Sequence, residues 1–283
     1  MIKVNIGEEM SMNPFYSMRA RYFLIVFTPL IWLERSSKQL LEHTLHIQNS
    51  SIINLLIFYI LPVIWLLYEY RRKDIPLRAF INRQETFHVL QVVWITIMLC
   101  LFSYGYLILY MYSFTWITPD FIMNALHQPI IEETSGYVYQ FIIVVFIAPI
   151  IGEFVFRGFL FQRFAAKWGT GKGMIAVALL FGCMHIDFLG AAVFSIVLSI
   201  VYIRSKSLLM PISIHMLNNA VVLIASKFIS KEEAISFADF SNYTSFFTGL
   251  MIFIFGLNFV LFFLFMNRRY MNEELPIVTL NKM

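Results

Sequence analysis

Charge is scarce in this sequence, and cysteine scarcer. Asp, Glu, Lys and Arg make up 13% of the 283 residues, about half the share of a soluble domain. A water-facing globule is excluded on that ground. The two cysteines, Cys100 and Cys183, lie inside apolar runs and form no C-x-x-C pair, so neither a disulfide framework nor a thiolate zinc knuckle is expected. Internal repeats, low-complexity tracts and a polar linker domain are missing. No small-residue cleavage pattern follows the first apolar stretch, where Glu34, Arg35, Ser36, Ser37 and Lys38 succeed one another; this argues against a signal peptide.

What fills the chain instead is apolar sequence, 59% of residues with a mean hydropathy of +0.73. It comes in long runs. A spanning helix needs about 20 apolar residues to cross a hydrocarbon core about 30 Å thick. Candidates run over 52–67, 89–112, 137–162, 208–227 and 243–266. Residues 173–203 are too long for one crossing, and the polar break at His185–Ile186–Asp187 divides them into two helices. Residues 22–33 supply a shorter first candidate. The expected fold is all-α, a polytopic transmembrane bundle of about eight spans in the cell membrane.

Short cytoplasmic loops collect Lys and Arg. Basic residues cluster at Arg19/Arg21, Arg71–Lys73 with Arg78 and Arg83, Arg163/Lys167/Lys172, Arg204/Lys206 and Arg268/Arg269. Eight spans put all of these on one side and both termini in the cytoplasm. The stretch 113–136 has no Lys or Arg but holds Asp120, Glu132 and Glu133, and falls on the other side. Topology accounts for the basic residues, so nucleic-acid binding has no support. Three regions of one integral-membrane domain are expected: hydrophobic spans over 1–136, a core carrying the chemistry over 137–227, and a last loop, span and tail over 228–283.

Ionisable groups inside spans are costly and often mark a site. Glu153, Arg157, His185 and His215 stand out, with Asn218 and Asn219 beside them. Glu153 and Arg157 are four apart and share a helix face, as do His215 and Asn219. Helical rise brings Glu153, His185 and His215 to similar depths. Each has a bland reading too. Glu153–Arg157 can be a self-neutralising ion pair, the histidines packing residues, and the asparagines interhelical glue. Asp187, near a span end, is expected to face water.

Three segments carry a resemblance. They are Gly152–Glu153–Phe154–Val155–Phe156–Arg157, Phe181–Gly182–Cys183–Met184–His185, and His215–Met216–Leu217–Asn218–Asn219. In order and spacing they resemble the Glu-Glu-x-x-x-Arg, Phe-x-x-x-His and His-x-x-x-Asn segments of the CPBP family of intramembrane proteases, the CAAX-protease and bacteriocin-processing (Abi) group. The resemblance implies peptide-bond hydrolysis in the inner half of the bilayer. It implies that Glu153, His185, His215 and Asn219 are catalytic, with Arg157 orienting. His185 holds the attacking water or a metal, which makes zinc at His185 and His215 an option, and His215 and Asn219 stabilise the oxyanion. Implied partners are membrane lipid, a prenylated or leader peptide as substrate, or a membrane-protein partner.

One position departs. Gly152 stands where the family has its first glutamate, the general base, and glycine cannot take a proton. Two functions follow. The chain is a protease in which Glu153 serves as base through a bend near Pro149, or it is a non-catalytic binding or scaffold relative, a pseudoenzyme acting in bacteriocin self-immunity or in regulation of a partner.

Overall fold

The computed structural model describes residues 13–27, 56–81, 88–116, 137–185, 187–229 and 242–275. These are helical throughout, with no strand among them. Residues 20–27 form a short helix. Helix α1 (Leu61–Arg72) continues a π turn at Leu56–Ile60, α2 is Val89–Thr115, and α3 runs unbroken over Val138–Trp168. Then come α4 (Thr170–Cys183), α5 (Phe188–Ser205), α6 (Leu209–Ile229) and α7 (Tyr243–Asn267).

Four of these, α2, α3, α5 and α7, are long and apolar enough to cross a membrane, while α4 and α6 are shorter apolar helices. The expected division of 173–203 is present, with α4 ending at Cys183 and α5 starting at Phe188. The expected span at 22–33 is described only to residue 27. Asp120, Glu132 and Glu133 lie outside the described residues, as do the loops around 34–46 and 230–239.

Helices α3 and α4 form a hairpin through a single residue, Gly169, at φ +85°. That conformation suits glycine because it has no Cβ to clash. Asp187 does not simply face water. It caps α5, its Oδ1 accepting from Gly190 N at 2.9 Å, which satisfies one of the helix's orphan donors.

The basic clusters meet at one end of the bundle. Thr170 donates to the Glu273 carbonyl, Arg204 lies over the Tyr270 ring, and Leu208 N–H donates to the Phe80 carbonyl. The ends of α1, α3, α5 and α7 and the starts of α4 and α6 therefore share one face, as the charge pattern requires.

Helices α2 and α7 make the most extensive pairing in the bundle. In lipid no hydrophobic effect drives helices together, so small residues that admit close backbone approach decide such contacts. Gly105, Gly249 and Gly256 sit in this seam. A Cβ at Gly256 would lie 2.5 Å from Phe102 N and 2.7 Å from its Cα, both backbone atoms. Gly256→Ala must push the helices apart, and overpacking of this kind costs about 1–3 kcal/mol. We expect a lowered melting temperature in detergent. Gly171→Ala, whose nearest neighbour beyond its own helix would be 3.5 Å away, should leave it nearly unchanged.

Candidate active site

The site is built on α3, and α3 is not a regular helix. Two π turns, Ile142–Ile147 and Phe154–Phe161, bracket the α-helical stretch Ala148–Glu153. Pro149 explains the first, because its ring obstructs the ordinary α turn and it has no N–H to give. Ala148 N–H donates five residues back, to the Ile143 carbonyl. The same pattern would hand the Val144 carbonyl to residue 149, which is proline. Asn219 of α6 supplies the missing donor, its Nδ2 lying 2.8 Å from Val144 O. Buried backbone acceptors need partners, and here the partner comes from a neighbouring helix.

One turn further on, Glu153 and Arg157 are both completely buried. Arg157 Nη1 donates to Glu153 Oε1 at 2.9 Å, and His215 Nδ1 lies 2.9 Å from the same oxygen. A carboxylate only accepts, so Nδ1 carries the proton in this bond. That leaves the His215 Nε2 lone pair available in the neutral ring. Arg157 also donates through Nη2 to the Ser195 carbonyl of α5, at 3.0 Å, and its guanidinium lies 5.3 Å from the centre of the Phe181 ring. Glu153 Oε2 is buried without a partner among the described residues.

Phe181 of α4 is the common platform. His185 stacks on it at 4.5 Å between ring centres, and His215 meets it edge-on at 6.0 Å. Phe194 of α5 packs edge-on against His215 at 5.2 Å. His185 Nδ1 lies 2.7 Å from the Phe181 carbonyl, which makes it a donor too and leaves Nε2 open. Gly152 faces the same place. Beyond its own helix, a Cβ there would have one neighbour among the described residues, His215 Cε1, at 3.8 Å. The position where a glutamate side chain would start is therefore open and directed at the His215 ring.

The structure joins Glu153, Arg157 and His215 by direct bonds and brings His185 to them through Phe181. Asn219 stands one turn along α6 from His215, with one amide hydrogen committed to Val144 O. Asn218 points elsewhere: its Oδ1 accepts from Cys100 Sγ at 3.4 Å and ties α6 to α2. Sequence reasoning missed Phe181 as the platform, although it opens the Phe-x-x-x-His segment. It also missed Phe194 and the Val144 carbonyl. Only Pro149 hinted at the latter.

Residues 134–221 match the family model described as type II CAAX prenyl endopeptidase Rce1-like. This stretch, less than half of the chain, is similar to the CAAX prenyl endopeptidases of the CPBP type. The matched Rce1-like stretch contains α3, α4, α5 and every residue of the site up to Asn219. Comparison with curated proteins and with solved structures gave no match.

A catalytic zinc takes three protein ligands and a structural one four. No cluster of three or more His, Cys, Asp or Glu occurs among the described residues, and Glu153 is held by two donors. The described residues therefore offer no three-ligand set for zinc, and no step below passes through a metal.

Removing one partner from a buried ion pair leaves an uncompensated charge and costs about 3–5 kcal/mol. Arg157→Leu should therefore abolish recovery of folded protein, or lower its melting temperature steeply. Glu153→Gln keeps an acceptor but removes the counter-charge of Arg157, which cannot shed its proton, so its loss should be of similar size. Thermal unfolding of the two variants in one detergent checks this.

Proposed function

We propose that this chain binds a membrane-associated peptide at the Gly152–His185–His215–Asn219 site and hydrolyses it slowly or not at all. The Rce1-like match supports a membrane protein of the CAAX-protease type, whose substrates are membrane-associated peptides. The observation that carries the reading is the state of Glu153. It has no exposure, and both of its hydrogen bonds converge on one oxygen from Arg157 and His215. A general base must come within hydrogen-bond reach of the water it activates. Glu153 holds its neighbours in place, and residue 152 offers no carboxylate. Loss of a positioned base lowers a rate by about 10²–10⁴-fold.

The binding elements remain. His185 Nε2 and His215 Nε2 can accept hydrogen bonds, and the second amide hydrogen of Asn219 can meet a peptide carbonyl. A protein that holds a peptide without cutting it suits self-immunity or control of a partner, and it would sit in the cell membrane with both termini in the cytoplasm.

A second reading has its own observation. The Glu153–His215 bond resembles the arrangement in which a buried carboxylate fixes an imidazole's tautomer and orientation. On that reading His215 Nε2 is itself the base, and the space left by Gly152 admits the water.

One experiment decides. The native chain, Gly152→Glu and His215→Gln are reconstituted in liposomes with prenylated and leader-type peptides, and both binding and cleavage are measured. We expect the native chain to bind with little cleavage, and Gly152→Glu to raise cleavage by at least about 10²-fold. Native cleavage that Gly152→Glu does not raise and His215→Gln abolishes would establish the second reading. Absence of peptide binding by the native chain would overturn both.

A further inference from the structure

Away from this site, the basic end of the bundle holds a groove of about 430 Å³ between the segment at 17–24 and the end of α3. Four cations line it, Arg19, Arg21, Arg163 and Lys167, over a floor that includes Leu24 and Trp168, and no Asp or Glu is among the lining residues. None of the four forms an ion pair among the described residues. Like charges gathered in one concavity repel unless an anion joins them.

The cations are held ready. Arg163 Nε donates to the Met18 carbonyl at 2.6 Å, and its guanidinium sits 5.5 Å from the Tyr16 ring centre. Its Nη1 is buried with no acceptor among the described residues. Lys167 Nζ lies over the Trp168 ring, and Arg19 and Arg21 flank the Tyr22 ring from 5.4 and 5.1 Å. Trp and Tyr beside Arg and Lys are the residues of the headgroup level of a bilayer. Next to the groove the helix at 20–27 exposes Ile25 and Val26, at 63% and 45%, an apolar surface for acyl chain. Excess positive charge on one side would serve topology wherever it stood on that side. Topology alone does not call for four cations with no ion-pair partner among the described residues, gathered in one groove beside an exposed aliphatic face.

We propose that this groove binds the phosphate of an anionic phospholipid headgroup, with the lipid's acyl chain against Ile25 and Val26. Basic recesses at the ends of spanning helices recognise such headgroups.

The test uses the full chain in phosphatidylcholine nanodiscs, into which phosphatidylglycerol is titrated while the melting temperature is followed. The double variant Arg21→Gln/Lys167→Gln alters two exposed side chains in the groove. Arg268→Gln/Arg269→Gln removes equal charge at the same end, outside it. We expect saturable stabilisation of the native chain and of the outside variant, with an apparent affinity at least about tenfold weaker in the groove variant. Equal loss in both variants would overturn the site in favour of diffuse surface charge. An equal shift with inorganic phosphate, and none with lipid, would overturn the lipid assignment.

Discussion

A fully buried arginine is the constraint on which the rest of this structure depends. The guanidinium of Arg157 has no contact with solvent, and an ion in an apolar interior must be paired and hydrogen-bonded or it will not stay charged. Its partners come from the whole core. Glu153 on the same helix supplies the counter-charge, the Ser195 carbonyl brings in α5, and the Phe181 ring brings in α4. Glu153 in turn binds His215 and so fixes α6. One charge thus orients four helices, and the imidazoles of the site are placed as a consequence. The bland reading of Glu153–Arg157 as a self-neutralising pair and the functional reading of the histidines are therefore two views of one network.

Pro149 sets the second constraint. By withholding a donor it creates a π turn, strands the Val144 carbonyl and draws Asn219 in to satisfy it. π turns inside α-helices are frequent at functional sites, and here the turn carries the cost of anchoring α6 close to α3. The bend near Pro149 that the sequence suggested is present as a widened turn. It does not free Glu153, because Arg157 and His215 close on the carboxylate after the turn has been made.

Much of the fold could be read beforehand, since the membrane leaves few options: backbone groups in hydrocarbon must be bonded within helices or closed barrels. Apolar runs located the helices, His185–Asp187 located the break between α4 and α5, and the basic clusters were gathered at one end. The candidate residues Glu153, Arg157, His185 and His215 could also be picked out, because ionisable groups stand out against apolar sequence. What could not be read was their pairing. That Glu153 gives one oxygen to two donors, or that Asn219 serves a carbonyl while Asn218 serves a thiol, depends on side-chain direction and not on spacing. Asp187 shows the same limit: a carboxylate at a span end reads as water-facing, yet the start of α5 claims it as a cap.

Gly152 changes its meaning in this setting. In the α2–α7 seam a Cβ at Gly105 or Gly256 would strike neighbouring backbone, and one at Gly249 would strike the Ile108 side chain. At 152 the one neighbour of an added Cβ beyond its own helix, among the described residues, is an imidazole carbon at van der Waals distance, so packing against them gives no reason for glycine at that point. The reason it can be tolerated lies next door. Arg157, Glu153 and His215 bond to one another without any atom of residue 152, although Glu153 Oε2 and Arg157 Nε have no partner among the described residues. Such independence keeps His185 and His215 in place with glycine at 152, each with its Nδ1 committed to an oxygen and its Nε2 turned to no partner among the described residues.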